Sequence, residues 1–142
     1  MRKIRKIVIH CSDSPHAHHD DISVIRSWHV NERKWSDVGY HFFIQANGNI
    51  QEGRKLYRVG AHALNHNADS IGICLHGRDK FTQAQFTSLR SLVRDMIQRF
   101  NLTPADVYGH YDFSSKTCPN FDVQSVVFGR PMNLDPKEEK RV

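Results

Sequence analysis

A chain of 142 residues is long enough for one hydrophobic core and too short for two domains of ordinary size. Hydrophobic residues make up 39% and charged residues 25%, which excludes a disordered chain, and no apolar run approaches the roughly 18 residues that span a bilayer, so no membrane insertion is expected. The net charge of +5 suits an anionic partner, but beyond the first six positions the basic residues are scattered and single out no partner.

The basic start Met1-Arg2-Lys3-Ile4-Arg5-Lys6 runs into Ile7-Val8-Ile9, but the apolar stretch ends at His10 without a small-residue cleavage site. Residues 4–10 therefore read as a buried first strand, and synthesis in the cytoplasm without an export signal is expected. Ser12-Asp13-Ser14-Pro15 breaks the strand with turn chemistry. Ile22, Ile25, Trp28 and His29 then recur at helical spacing behind Asp20 and Asp21, which predicts a helix fading near Glu32. Residues 39–45 contain Tyr-His-Phe-Phe-Ile, and Asn47-Gly48 with Ile50 beyond it predicts a hairpin. Ser70 to Leu75 reads as another buried strand. Thr82 and Gln85 form a capping box ahead of Phe86, Leu89, Val93, Met96, Ile97 and Phe100, the clearest helix in the sequence. Asp106 to His110 is a short last strand, followed by a loop through Pro119. The order predicts one α/β domain, a central mixed β-sheet flanked by helices over residues 1–128, with a flexible tail over 129–142.

Three cysteines, Cys11, Cys74 and Cys118, with no CxxC pair argue against a disulfide framework and for a reducing compartment. Ten histidines raise the expectation of a metal site without locating it. Two predicted strands end in histidine, at His10 and His110, and strand ends that open into loops are common places for catalytic groups. Cys118 follows His110 across a polar loop. Two imidazoles and a thiolate would give zinc three protein ligands and an open fourth position, as in catalytic rather than structural zinc sites. Spacing alone leaves the bland readings open, a hydrogen-bonded structural histidine and an inert core cysteine.

Four ordered motifs sharpen this: Ile7-Val8-Ile9-His10-Cys11-Ser12, Gly39-Tyr40-His41-Phe42, Asn67-x-x-Ser70-Ile71-Gly72-Ile73, and Gly109-His110-x-Asp112-x-x-x-Lys116-Thr117-Cys118-Pro119. Together they resemble the phage-lysozyme type of N-acetylmuramoyl-L-alanine amidase, a family related in fold to the peptidoglycan-recognition proteins. The resemblance runs from residue 7 to about 122. It implies a Zn2+ cofactor held by His10, His110 and Cys118, an active-site tyrosine at Tyr40 and a catalytic lysine at Lys116. The implied reaction cuts the amide between N-acetylmuramic acid and L-alanine in peptidoglycan, in a phage or prophage endolysin-like enzyme that acts on the cell wall after release. Lys116 would stabilise the oxyanion, and Tyr40 would orient water or donate a hydrogen bond.

His62 and Asn67 sit in a loop that lines the substrate groove in similar proteins and are candidate substrate contacts. His41 reads as a structural histidine near the metal, Asp112 as a brace or an outer partner of the site, Cys11 and Cys74 as core cysteines, and Trp28 and Trp35 as core or groove. His16, His18 and His19 read as a solvated loop. The sequence departs from the family at Tyr111, where arginine is frequent, and at Asn120, where glycine is frequent. Cysteine rather than aspartate as third ligand favours a wall-lytic enzyme over a recycling one. Expected partners are peptidoglycan or muropeptides, with no nucleic acid, and the chain is expected to be a monomer. A non-catalytic peptidoglycan sensor and a regulatory interaction protein are the alternatives; intact ligands argue against a pure binder.

Overall fold

The computed structural model describes residues 1–129, and the expected tail from position 130 onward lies outside the described residues. Five strands form one mixed sheet: β1 (Lys6–Cys11), β2 (Phe42–Ile44), β3 (Ile50–Glu52), β4 (Ser70–Leu75) and β5 (Val107–Gly109). Their order is β3-β2-β4-β1-β5. β1 lies parallel to both β4 and β5, β2 lies parallel to β4, and only β3 runs antiparallel, on β2. Among the described residues three α-helices complete the domain, α1 (Ile22–Ser27), α2 (Gln83–Phe100) and α3 (Val123–Phe128). The predicted α/β architecture is therefore the one observed.

Side chains alternate across a strand, so the register assigns each residue to a face. Ile7 pairs with Ile71 and Ile9 with Ile73, and these residues join Ile44, Leu75 and Val107 against Leu89, Val93 and Met96 of α2 and Val123 and Val127 of α3. The alternate positions, Val8 with Gly72 and His10 with Cys74, face the other way. On that side Phe43 and Cys74 pack with Ile22 and Ile25 of α1 and with Val38. One face carries the main core, and the other carries a small core beside His10.

The helices start and stop where their chemistry dictates. The Thr82 hydroxyl accepts from the Gln85 N–H (3.1 Å) and the Gln85 side chain accepts from the Thr82 N–H (2.9 Å), closing the predicted capping box. Gln85 is itself buried, and its amide donates to the carbonyls of Ile44 and His76, tying the start of α2 to the sheet. Asn101 ends α2 in the left-handed conformation (φ 56°). Phe86, Ile97 and Phe100 pack only partly buried against the core, so the buried stripe of α2 is narrower than the apolar period.

α1 is capped by Asp21, whose carboxylate accepts from the Ser23 N–H (2.8 Å), and continues as a π-helical turn over Trp28–Glu32 before the chain leaves the helix. The hairpin predicted at Asn47-Gly48 exists, with a detail the dipeptide does not give. Gly48 N–H bonds to the Gln45 carbonyl (2.8 Å), and Gly48 has positive φ (89°) while Asn47 does not. The loop is thus a three-residue connection in which only the glycine needs the left-handed region, not a two-residue turn that needs it twice.

Candidate metal centre

His10 and His110 stand at the C-terminal ends of the neighbouring parallel strands β1 and β5, where the sheet holds their backbones fixed. Cys118 is brought back to them by its loop, whose path is set by backbone bonds. Tyr111 N–H donates to the Cys118 carbonyl (2.9 Å), Phe113 N–H to the His110 carbonyl (3.0 Å), and the Asp112 carboxylate accepts from Gly109 N–H (3.0 Å). The ligand atoms of His10, His110 and Cys118 all lie within 4.8 Å of one another. Three donors gathered this closely could hold one ion between them.

The electrostatics fit metal ligation. Burial, with His62, His110 and Lys116 adding positive neighbours, holds His10 neutral, its pKa well below the ordinary histidine value. Burial and Lys116 lower that of His110 as well. A neutral imidazole is the form that binds a metal. The Cys118 sulfur accepts from the Cys11 N–H (3.1 Å). Its hydrogen bond with the Cys11 thiol, together with burial, pushes the Cys118 thiol well above the ordinary range. A cation beside that sulfur would reverse the preference and favour the thiolate.

The residues around this trio come from three loops. Gly39 gives its N–H to Nδ1 of His29 (2.8 Å), and its carbonyl accepts from Ala61 N–H (3.0 Å). A Cβ on Gly39 would stand 2.1 Å from the Ala61 carbonyl oxygen, so only glycine permits this crossing of the two loops. Tyr40 follows, its ring centroid 5.1 Å from that of His10. Burial keeps its phenol protonated, its pKa raised well above the ordinary value, with the neighbouring Cys74 thiol adding to the shift. Lys116 is exposed on the ligand loop, and its ammonium is close enough to His10 and His110 to depress both pKa values.

A cleft of about 1290 Å³ opens over the trio, lined among others by Tyr40, His62, Asn67 and Lys116 and by both Trp28 and Trp35. The structure thus brings together all seven residues singled out for the site, but His62 and Asn67 do more than line a wall. His62 Nδ1 lies 2.9 Å from His10 Nε2, and its Nε2 lies 3.1 Å from the Ser70 hydroxyl. The Asn67 side-chain carbonyl accepts from the N–H groups of His62 and Ala63 and so shapes the loop.

Other expectations resolve individually. His41 is buried and structural: its Nδ1 accepts from Gly72 N–H (3.0 Å), and burial lowers its pKa to about 4. Cys74 is core, whereas Cys11 is buried but also touches the Cys118 sulfur. His16 and His18 are exposed, and His19 bonds to the Ser14 hydroxyl (2.6 Å). Asn120 has φ 69°, the left-handed backbone that glycine adopts freely and asparagine tolerates, which explains the substitution seen at that position. The Tyr111 hydroxyl accepts from the Val123 N–H at the start of α3 (3.1 Å). In the sequence Ser70 and Gly72 stand out only as motif positions and His29 only as a helix residue, and nothing there marks them as supports of the site. Only the pairing of His10 with Cys74, and hence of Val8 with Gly72, shows that a glycine lies open beneath the site face.

Comparison with known proteins agrees with this geometry. Residues 1–121 match the family model described as N-acetylmuramoyl-L-alanine amidase. The endolysin of Escherichia phage T7 is 39% identical over 126 residues, covering 83% of this chain and 82% of that protein. Peptidoglycan-recognition protein SC2 of Drosophila melanogaster is 36% identical over 103 residues, covering 70% of this chain and 56% of that protein. Among solved structures, N-acetylmuramoyl-L-alanine amidase LysC from Clostridium intestinale URNW superposes with a TM-score of 0.81 at 32% identity, covering 90% of this chain and 85% of that one.

Proposed function

The chain belongs to the N-acetylmuramoyl-L-alanine amidase family, and from that premise we propose that it is a zinc-dependent, phage endolysin-like enzyme. Its substrate is peptidoglycan, and the bond it hydrolyses joins the lactyl group of N-acetylmuramic acid to L-alanine of the stem peptide. The observation that carries the zinc reading is the convergence of His10, His110 and Cys118 within 4.8 Å at the floor of an open cleft. Two nitrogens and one sulfur form a donor set suited to zinc, and three protein ligands leave a position for reactants. A zinc ion held there supplies Lewis acidity that activates water and polarises the amide carbonyl.

The remaining chemistry falls to the protein. Cys11 N–H steadies the negative charge of the Cys118 thiolate. The Lys116 ammonium, on a flexible stem at the cleft, moves onto the carbonyl oxygen as charge develops there. Tyr40, kept as a neutral phenol by burial, acts as a hydrogen-bond donor to the oxyanion or to the departing amine, not as a base. His62 and Asn67 form the wall against which the stem peptide lies, and Trp28 and Trp35 add aromatic surface to the cleft. The enzyme works at the cell wall as a monomer, with residues 1–128 as its catalytic domain and no nucleic acid among its partners. No helix among the described residues is long and apolar enough to cross a membrane.

The test is the release of free L-alanine amino termini from purified peptidoglycan, measured with zinc content for the wild type and for Cys118→Ser. The proposal expects near-stoichiometric zinc and cleavage in the wild type, both lost in the variant, with cleavage also lost on chelation. Zinc without cleavage of any wall type would leave a binding protein, and a wild type that takes up no zinc would end the metal reading.

A further inference from the structure

His62 has a position that a substrate contact does not require. Its ring lies on the site face of the sheet directly over Gly72, where a Cβ would come within 2.6 Å of the ring carbon Cγ. A Cβ on Gly60 would likewise come within 2.8 Å of the same ring. From below, glycine alone makes room for the imidazole; from behind, the Asn67 side chain fixes the main chain at His62 and Ala63. Both ring nitrogens are then engaged, Nδ1 with His10 Nε2 (2.9 Å) and Nε2 with the Ser70 hydroxyl (3.1 Å). Ser70 is fully buried on β4, so the far end of this chain of bonds is anchored in the sheet.

We infer that His62 is a positioning residue for the metal site, selecting through the relay Ser70–His62–His10 the nitrogen that His10 presents to the ion. The inference rests on the zinc reading above. A neutral imidazole has one N–H and one lone pair, so two facing imidazole nitrogens can bond only if one is protonated and the other is not. With the proton on His10 Nε2, that atom donates to His62 Nδ1, and the His10 Nδ1 lone pair is free for the metal. His62 then carries its own proton on Nε2 and donates it to the Ser70 oxygen. The reverse arrangement would put the His10 proton on Nδ1 and leave Nε2, already occupied by His62, as the sole lone pair, so His10 could not ligate. Metal-bound histidines characteristically donate their second nitrogen to an outer partner in this way, which fixes the ring and strengthens the ligand. Here the outer partner is another histidine, 52 positions along the chain.

The experiment measures zinc affinity by competition with a chromophoric chelator. It also records the His10 tautomer in the metal-free protein by long-range proton–nitrogen correlation, for wild type, His62→Ala and His62→Asn. The Asn side-chain oxygen falls near the place of His62 Nδ1 and keeps an acceptor for His10. The inference predicts a single Nε2–H tautomer of His10 in the wild type and a mixture in His62→Ala. Zinc affinity should fall about 10–100-fold in His62→Ala and recover largely in His62→Asn, a difference that metal-free thermal stability does not track. A His62→Ala protein with wild-type zinc affinity and an unchanged His10 tautomer would overturn it. So would equal losses in both variants that follow a fall in metal-free stability, which would make His62 a packing residue. A wild type that binds no zinc would instead end the metal reading itself, a result separable from either of these.

Discussion

On one face of the central sheet stand Ile7, Ile9, Ile71, Ile73 and Leu75, all completely buried beneath α2 and α3. On the other, one residue along each strand, stand Val8, His10, Gly72 and Cys74, with His62 and Tyr40 laid over them. The first face is held by shape and by area removed from water, each large side chain contributing roughly 1.5–3 kcal/mol without a directional partner. The second combines a small apolar core around Phe43 and Cys74 with directional bonds such as those of His62 to His10 and Ser70, because buried imidazoles are costly unless their nitrogens are paired. Parallel strands 1 and 4 carry both rule sets in alternate residues. The comparison teaches that a sheet can separate stability from chemistry by parity alone, and it says where a substitution should act.

The largest separation should come from the cleft. Lys116→Ala removes an exposed cation on a loop, so kcat should fall about 10²–10³-fold with zinc content and thermal stability unchanged. A fall in stability of the same variant would show that the loop, not the charge, is at work. On the opposite face, Ile73→Ala should cost about 2–5 kcal/mol in denaturant unfolding while kcat per folded molecule stays at the wild-type value. Loss of activity beyond the unfolded fraction would break the parity argument.

Acid sharpens the comparison, because the histidines lie on or beside the site face. His29 and His41 are buried and neutral in the folded protein, with pKa values lowered to about 4, against about 6.5 when unfolded. Below pH 6.5 the unfolded chain takes up protons that the native state refuses. Stability is therefore complete above that value and declines as pH falls toward 4, by about 1–3 kcal/mol for each histidine. Urea unfolding at pH 7 and pH 5 measures this, and His41→Gln should flatten the slope. The smallest effect belongs to the cap. Thr82→Ala should cost about 1 kcal/mol through the loss of one acceptor at the start of α2, with cleavage and zinc untouched.

The same division decides what could be read from the sequence. α2 was legible because Thr82, Gln85 and the apolar period are local signals that agree with one another. The trio of His10, His110 and Cys118 was legible only through the order of four motifs, since spacing alone does not reveal that β1 and β5 are neighbours. The His10–His62 bond was not legible at all. It depends on a crossing permitted by Gly39, a seat permitted by Gly72 and a loop tied by Asn67, none of which has a periodic signature. His62 and Asn67 were marked by their loop, and the structure adds that both also build the site's frame. Cys11 read as core because it continues the strand pattern; its contact with the Cys118 sulfur arises from the return of a loop 107 residues later.

The central claim, that one histidine from each of two strands and one loop cysteine hold a zinc ion open to reactants, is tested most directly by zinc-edge X-ray absorption on the purified protein. The account predicts two nitrogen ligands at roughly 2.0–2.1 Å, one sulfur at roughly 2.3 Å and one further light atom that changes when a carbonyl-mimicking inhibitor is added. Loss of the sulfur shell in Cys118→Ser would complete the assignment. A spectrum with no sulfur shell in the wild type, or with four protein ligands and no response to inhibitor, would contradict it.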